Sequence, residues 1–236
     1  MTSLRPSLLV LLIGLGILPG AATTDPVELT GDEILARLEN ETNRRHLLLK
    51  EYSSSRQYTL QNLRFGKQAA TSVAMKFSQP EGERYTVVAR SGSDRLNGII
   101  DKILASEAVA SVPPENGQHD ITAANYRVRL GGIEATGGRL CYILTLIPRA
   151  RQRYLIAGKV WVDAATYGVV RLEGQFAASI SLLVGAPRIT EEFVEVHGFW
   201  LPGHVRSVTS SLLLGPTQLE IQFSNYQVEP AGAPAN

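Results

Sequence analysis

The residues best suited to chemistry lie in one acidic run, residues 191–197, which reads EEFVEVH. Side chains alternate between the two faces of a strand, so Glu191, Glu195 and His197 would share one face. Two carboxylates and an imidazole could hold a metal ion or act as an acid–base pair. A solvated strand before a turn has the same pattern, and we favour it because a metal site needs more converging ligands.

Other catalytic signatures are missing from the sequence. It contains no G-x-S-x-G, H-E-x-x-H, C-x-x-C or Walker A motif. The single cysteine, Cys141, lies in an apolar run and can form neither an internal disulfide nor a cysteine-rich metal site. Arg149, Arg151 and Arg153 fit a solvated loop better than an anion site. We therefore predict a protein that is not an enzyme and needs no cofactor or metal.

The charge balance excludes another class of partner. The chain has 23 Lys and Arg against 22 Asp and Glu, and its net charge is +1. A nucleic-acid binder needs a marked basic excess, so we predict no nucleic-acid partner. A hydrophobic fraction of 44% is typical of a globular protein.

The N-terminus has the pattern of a signal peptide over residues 1–22. Arg5 precedes an uncharged apolar core at residues 8–18, and small residues at 20–22 predict cleavage near Ala22. The apolar core is shorter than the roughly 20 residues that span a bilayer. We therefore expect export to the periplasm, a single domain over residues 23–229, and a disordered tail over residues 230–236.

The elements that must position any site are mostly strands. Thr30 and Glu33 have the spacing of a capping box, which predicts a helix over about residues 31–47. A hairpin is predicted around the turn at residues 80–83, with a strand before it over residues 55–65. Apolar spacing predicts a second helix from residue 94 to about residue 108, and strand signals continue from residue 124 onward.

About ten strands with one apolar face are too many for one flat sheet. The sequence therefore predicts the α+β class with mainly antiparallel β-structure. We expect an incomplete, curved β-barrel whose concave face is covered by two or three helices.

Two segments resemble one family. Residues 158–174 (GKVWVDAATYGVVRLEG) are similar to a hairpin of the periplasmic lipoprotein-sorting family, which includes LolA-like, LolB-like and RseB-like domains. Residues 193–202 (FVEVHGFWLP) resemble a later hairpin of that family. The resemblance implies a half-barrel with a helical lid over a hydrophobic cavity. The chain has no cysteine near residue 23, where a lipoprotein of this family would carry its anchor.

The resemblance implies a binder or carrier of lipid or of the acyl chains of lipoproteins. The alternative is an RseB-type module that senses the envelope, has a filled core and binds an envelope membrane protein. Strand alternation and helix spacing nominate a hydrophobic lining, in which the face of Trp161 is ambiguous because its neighbours are also apolar. The candidates are Val73, Met75, Phe77, Ile99, Ile103, Leu104, Tyr142, Leu144 and Trp161.

Overall fold

The computed structural model describes residues 29–112, 120–179, 184–213 and 215–230. The predicted signal peptide and residues 231–236 of the predicted tail lie outside these ranges. Two helices are described, α1 (Gly31–Leu48) and α2 (Asp94–Ala110). The strands are β1 (Leu49–Asn62), β2 (Lys67–Ser78), β3 (Gly82–Gly92), β4 (Tyr126–Thr136), β5 (Arg139–Pro148), β6 (Ile156–Asp163), β7 (Val169–Phe176), β8 (Arg188–Val196), β9 (Phe199–Ser211) and β10 (Gly215–Pro230).

All ten strands form one antiparallel sheet in the order β3-β2-β1-β10-β9-β8-β7-β6-β5-β4. Neighbours along the chain pair as hairpins or meanders, and β1 joins the two halves by pairing with β10. The edges β3 and β4 do not pair with each other, so the barrel stays open. The predicted class and architecture are therefore confirmed, with ten strands and two helices among the described residues.

The first helix begins as predicted. The Thr30 hydroxyl accepts from the backbone N–H of Glu33 at 3.3 Å, and the Glu33 carboxylate accepts from the backbone N–H of Thr30 at 2.8 Å. This capping box satisfies donors that the first helical turn leaves free. Neither described helix is long and apolar enough to cross a membrane.

The first strand differs from its prediction. We expected it over residues 55–65, whereas β1 starts at Leu49, directly after α1. The polar residues 53–57 (SSSRQ) hide the alternation of buried side chains that continues through this segment. The polar residues are tolerated because their neighbours Tyr52 and Tyr58 supply the apolar burial.

One face of the sheet is covered by both helices and is called the inner face. Residues directly opposite each other in antiparallel strands share a face, so a row of partners can be followed across the sheet. From β2 to β4 the row contains Thr71, Tyr58, Ile221, Val205, Glu191, Leu172, Val160, Leu144 and Leu130. This row is therefore apolar along most of its width and contains one carboxylate in the middle.

The helices cover different halves of the inner face. Ile34, Leu35 and Leu38 of α1 pack with residues of β4 to β7, including Leu144 and Val160. Residues of α2 pack with β1, β2, β9 and β10 in a second cluster, whose members include Leu96, Ile100, Leu104, Tyr58, Val73 and Ile221. Ile189 of β8 contacts both clusters. The strand that carries Glu191 thus lies at the boundary between the two covers.

Two facing glycines allow β6 and β7 to approach closely. Gly158 lies directly opposite Gly174. A Cβ atom added at Gly158 would lie 1.9 Å from the carbonyl oxygen of Glu173 and 2.5 Å from the Cα of Gly174. Any side chain at this position would push the two strands apart.

We predict that Gly158→Ala lowers the free energy of unfolding by about 2 kcal/mol or more, because backbone atoms cannot move aside cheaply. Urea denaturation followed by circular dichroism measures the change. Gly131→Ala is the control, because its Cβ would have its nearest contact at 3.5 Å. Equal stability of the two variants would contradict the tight approach of β6 and β7.

Candidate functional site

Four of the predicted lining residues lie together where α2 packs on the sheet, namely Val73 of β2 and the three candidates of α2, Ile99, Ile103 and Leu104. Met75 and Phe77, which follow Val73 on the inner side of β2, lie in a separate cluster without residues of α2. Val73 and Met75 are each only 2% exposed, and Leu104 is 6% exposed. The structure therefore divides the six candidates between two clusters and packs Val73, Met75 and Leu104 closely against their neighbours.

The two candidates of β5 lie in the other half of the inner face, beside α1. Leu144 is fully buried among the α1 contacts. Tyr142 packs at the edge of the same cluster and also lines a cavity of about 480 Å³. This volume lies within the range of roughly 300–1,000 Å³ that is typical of ligand sites. Tyr142 is the only predicted lining residue that borders this cavity.

The cavity is bounded by the start of α1, the hairpin of β4 and β5, and the turn after β6. Its lining residues are Leu29, Glu33, Arg37, Leu130, Ile133, Tyr142 and Tyr167. The rings of Tyr142 and Tyr167 are nearly parallel, with an interplanar angle of 12° and centroids 6.4 Å apart. The cavity therefore combines aliphatic and aromatic walls with one guanidinium and one carboxylate.

Trp161 lies apart from the other candidates. Its neighbours Val160 and Val162 face the α1 cluster, whereas Trp161 packs with Cys141 and Val170 in a cluster outside it. The indole N–H donates to the carboxylate of Glu134 at 2.5 Å. The alternation of β6 therefore places this ring on the outer face, which the apolar neighbours in the sequence had left undecided.

The sequence interpretation missed a buried polar network centred on Arg56. The guanidinium is 5% exposed and donates to both carboxylate oxygens of Glu83, at 2.6 and 3.1 Å. It also reaches Tyr85 at 2.8 Å and Glu107 of α2 at 3.4 Å. The Glu107 carboxylate accepts from the hydroxyl of Tyr58 at 2.6 Å. The network thus ties the last turns of α2 to β1 and β3.

Charge interactions in this network hold α2 against the sheet, because Glu107 of α2 shares the guanidinium of Arg56 with Glu83. Burial disfavours the charged form of Arg56, but the hydrogen bonds and the charge of Glu83 outweigh it and raise the pKa of Arg56. Burial raises the pKa of Glu107, and its hydrogen bonds from Tyr58 oppose that shift only partly. A paired guanidinium among carboxylates is stabilised only while all partners stay in place.

The alternation of β1 could have revealed Arg56. Tyr52, Ser54, Arg56, Tyr58 and Leu60 all have buried side chains at every second position. A charged residue that alternates with buried tyrosines is itself expected to be buried. A buried charge needs a partner of opposite charge, so the pattern indicates an acidic residue of another element on the inner face. No local signal predicts that this partner is Glu107, which is 51 residues away in the chain.

The possible constellation of Glu191, Glu195 and His197, which the sequence made less favoured than a solvated strand, is not assembled. Glu195 pairs with Arg139 at 2.6 Å, and His197 lies at a turn with φ of 51°. A register shift between Glu192 and Phe193 interrupts the pairing of β8 with β9 and separates Glu191 from the later residues. Among the residues that the structure describes, no group of three or more His, Cys, Asp or Glu side chains could hold a metal ion.

Glu191 instead stands in the apolar row of the inner face. Its direct cross-strand partners are Leu172 and Val205. Burial and the nearby charge of Glu107 raise the pKa of Glu191 to about 7. Near neutral pH this carboxyl group is therefore partly protonated, and its ionised form opposes folding.

We predict that the protein loses stability as the pH rises from about 4.5 to 7 and above. The pKa of Glu191 is raised from 4.5 to about 7 in the folded protein, so folding binds a proton in this window. Allowing for partial exposure, the contribution of Glu191 is about 2 kcal/mol. Glu191→Gln should remove this part of the pH dependence in denaturation curves recorded between pH 5 and pH 8.

Glu192→Gln is the matched control, because Glu192 is exposed and lies opposite Arg171 and His204 rather than on the apolar row. This variant should keep the wild-type slope of stability against pH. An unchanged slope in Glu191→Gln would contradict the burial of an ionisable carboxyl at this position.

Comparison with known proteins gives only structural matches. No protein-family model matches the chain, and no curated protein matches it. A domain named for outer membrane lipoprotein sorting, from Vibrio parahaemolyticus, is 14% identical with a TM-score of 0.41; the match covers 84% of this chain and 93% of that one. A DUF1329 family protein from Desulfovibrio piger is 14% identical with a TM-score of 0.42, over 86% and 95% of the two chains.

A third match is to the MucA/MucB complex of Pseudomonas aeruginosa, with 12% identity, a TM-score of 0.27, and coverage of 84% of this chain and 93% of that one. A LolA superfamily protein from Nitrosomonas europaea is also similar in structure, with 13% identity and a TM-score of 0.34. The lipoprotein-sorting domain and this protein have names of the family that the two hairpin motifs resemble.

Proposed function

We propose that this chain is a periplasmic, non-enzymatic protein that binds lipid or the acyl chain of a lipoprotein. The observation that carries the proposal is the cavity of about 480 Å³ at the edge of an inner face that is apolar along most of its width. An acyl chain gains roughly 0.8 kcal/mol for each CH₂ that it removes from water. A few CH₂ groups of an acyl chain in the cavity therefore contribute useful binding free energy.

The inner face beneath α2 could take up a longer acyl chain only if this helix moved, because its side chains pack against those of α2. The apolar contacts of α2 come from one stripe that contains Leu96, Ile100 and Leu104. Its other ties are polar, namely Asn97 with Thr71 at 2.9 Å, Asp101 with Arg90, and Glu107 with the Arg56 network. Each helix buries three apolar residues, but the attachment of α2 depends in addition on these polar contacts, and we infer from this that α2 is a movable cover.

We predict that Ile133→Trp weakens the binding of an acylated peptide or a lipid at least tenfold. Ile133 lines the cavity and is 52% exposed, so a larger side chain narrows the cavity without entering the core. Leu140→Trp is the control, since Leu140 lies in the same hairpin, is 59% exposed and does not line the cavity. Native mass spectrometry of protein expressed in the periplasm reports bound lipid.

The expected result is lipid on the wild type and on Leu140→Trp, and much less on Ile133→Trp. Protein that is free of lipid, and that shows no mass shift when lipid or acyl peptide is added, would refute the proposed function.

A second prediction concerns the cover. Arg56→Met leaves Glu83 and Glu107 without their shared counter-charge, so the end of α2 should detach more often. We expect hydrogen exchange of α2 amides to become about tenfold faster or more, while α1 amides stay unchanged.

Arg84→Met is the control, because Arg84 is an exposed residue of β3 and follows Glu83 directly in the chain. The double variant Arg56→Met with Glu107→Gln should recover part of the protection. Equal acceleration in both helices would mean that α2 does not open independently, and the movable cover would then be wrong.

The RseB-type interaction module is the second candidate, and the close packing under α2 favours it. A face in which Val73 and Leu104 are almost fully buried is already filled. This candidate predicts that crosslinking in cells returns one envelope membrane protein, and that the purified protein contains no lipid.

A further inference from the structure

The polar side of the cavity beside α1 is formed by Arg37 and Tyr167. The Nη1 of Arg37 donates to the hydroxyl of Tyr167 at 2.5 Å, and the guanidinium carbon lies 5.4 Å from the centre of the same ring. The hydroxyl accepts this bond, so its own hydrogen is left to donate elsewhere. The other N–H groups of Arg37 donate to no side chain or backbone oxygen of the described residues.

The acidic residue of the cavity is already engaged. One Glu33 oxygen accepts from both the backbone N–H and the hydroxyl of Thr30, each at 2.8 Å. These bonds lower the pKa of Glu33 and hold its carboxylate in the helix cap. The other Glu33 oxygen remains as an acceptor, and the charges of Glu33 and Arg37 attract each other. The site still offers a ligand more donors than acceptors, because the remaining guanidinium N–H groups and the phenolic O–H outnumber this one oxygen.

The opposite wall of the cavity is apolar. Leu29, Leu130 and Ile133 supply aliphatic surface, and the ring of Tyr142 continues it toward the α1 cluster. Leu130 lies directly opposite the fully buried Leu144, so this wall is continuous with the inner face. A ligand that matches both sides has an anionic oxygen group at one end and a hydrocarbon chain at the other.

We propose that this cavity binds a single-chain amphiphile with an anionic oxygen head group, held by Arg37 and Tyr167, and with its chain against Leu130 and Ile133. This inference rests on the proposed function and names the class of ligand. The shared chemistry of the head group is a carboxylate or a phosphate monoester, since Arg binds either through two N–H groups.

The test compares dodecanoate, dodecyl phosphate and dodecanol by isothermal titration calorimetry at pH 8, with the two anions below their critical micelle concentrations and the alcohol below its solubility limit. We expect the better anionic ligand to bind wild-type protein about tenfold or more tightly than dodecanol. Arg37→Gln should abolish this difference and leave the affinity for dodecanol unchanged. Tyr167→Phe should reduce the difference only a few-fold, because the guanidinium remains.

Arg44→Gln is the matched control, since Arg44 is exposed on the same helix and pairs with Glu41 at 2.8 Å. It should keep the full preference for the anion, and melting curves should show that both arginine variants are folded. A dominant affinity for dodecanoate identifies a carboxylate head, and one for dodecyl phosphate identifies a phosphate head.

Equal affinity of wild type for the anions and for dodecanol would overturn the head-group site and leave the proposed function standing. An equal preference for the anion in Arg37→Gln and Arg44→Gln would likewise overturn the head-group site and leave the proposed function standing. Failure of all three amphiphiles to bind would count against the proposed function itself.

Discussion

The structure depends on one constraint: a ten-stranded sheet exposes one apolar face, and only two helices in the described part of the chain cover it. A sandwich would close such a face with a second sheet. Here the apolar surface is shared between two helices of 18 and 17 residues. The cover is incomplete where α1 meets the edge strand β4, and the cavity lies at that point. An open sheet with a short cover thus leaves a cavity that is lined mainly by aliphatic and aromatic side chains.

The two covers are held by different forces. Three apolar residues hold α1 on the sheet: Ile34, Leu35 and Leu38 are at most 2% exposed. Apolar burial is non-directional, so this attachment does not depend on the exact position of any charged group. Part of the hold on α2 comes from the buried guanidinium of Arg56 and its carboxylate partners. Buried ion pairs add little net stability over apolar packing, but they are lost as a unit when one partner moves. Such a contact suits the movable cover that we propose for α2.

Local patterns predicted most of the elements, but not the start of β1 or the face of Trp161. The capping box at Thr30 set the start of α1, and the nominated Val73, Met75 and Leu144 are buried on the inner face. Contacts between distant segments were not predictable. The sequence alone indicates that Arg37 is a solvated helical residue. Only the fold places it beside Tyr167, which is 130 residues away in the chain. The register shift that separates Glu191 from Glu195 depends on the pairing of two strands, and neither strand alone contains that information.

Glu191 is the residue that a purely structural core would not keep. A leucine in the row between Leu172 and Val205 would avoid the cost of burying a carboxyl group. Burial raises the pKa of both Glu191 and Glu107, and the charge of Glu107 adds to the shift at Glu191. Glu107 belongs to α2, so the proposed movement of this helix would expose the Glu107 carboxylate and take its charge away from Glu191. By linkage, a lower pH would then favour the closed position of the proposed cover.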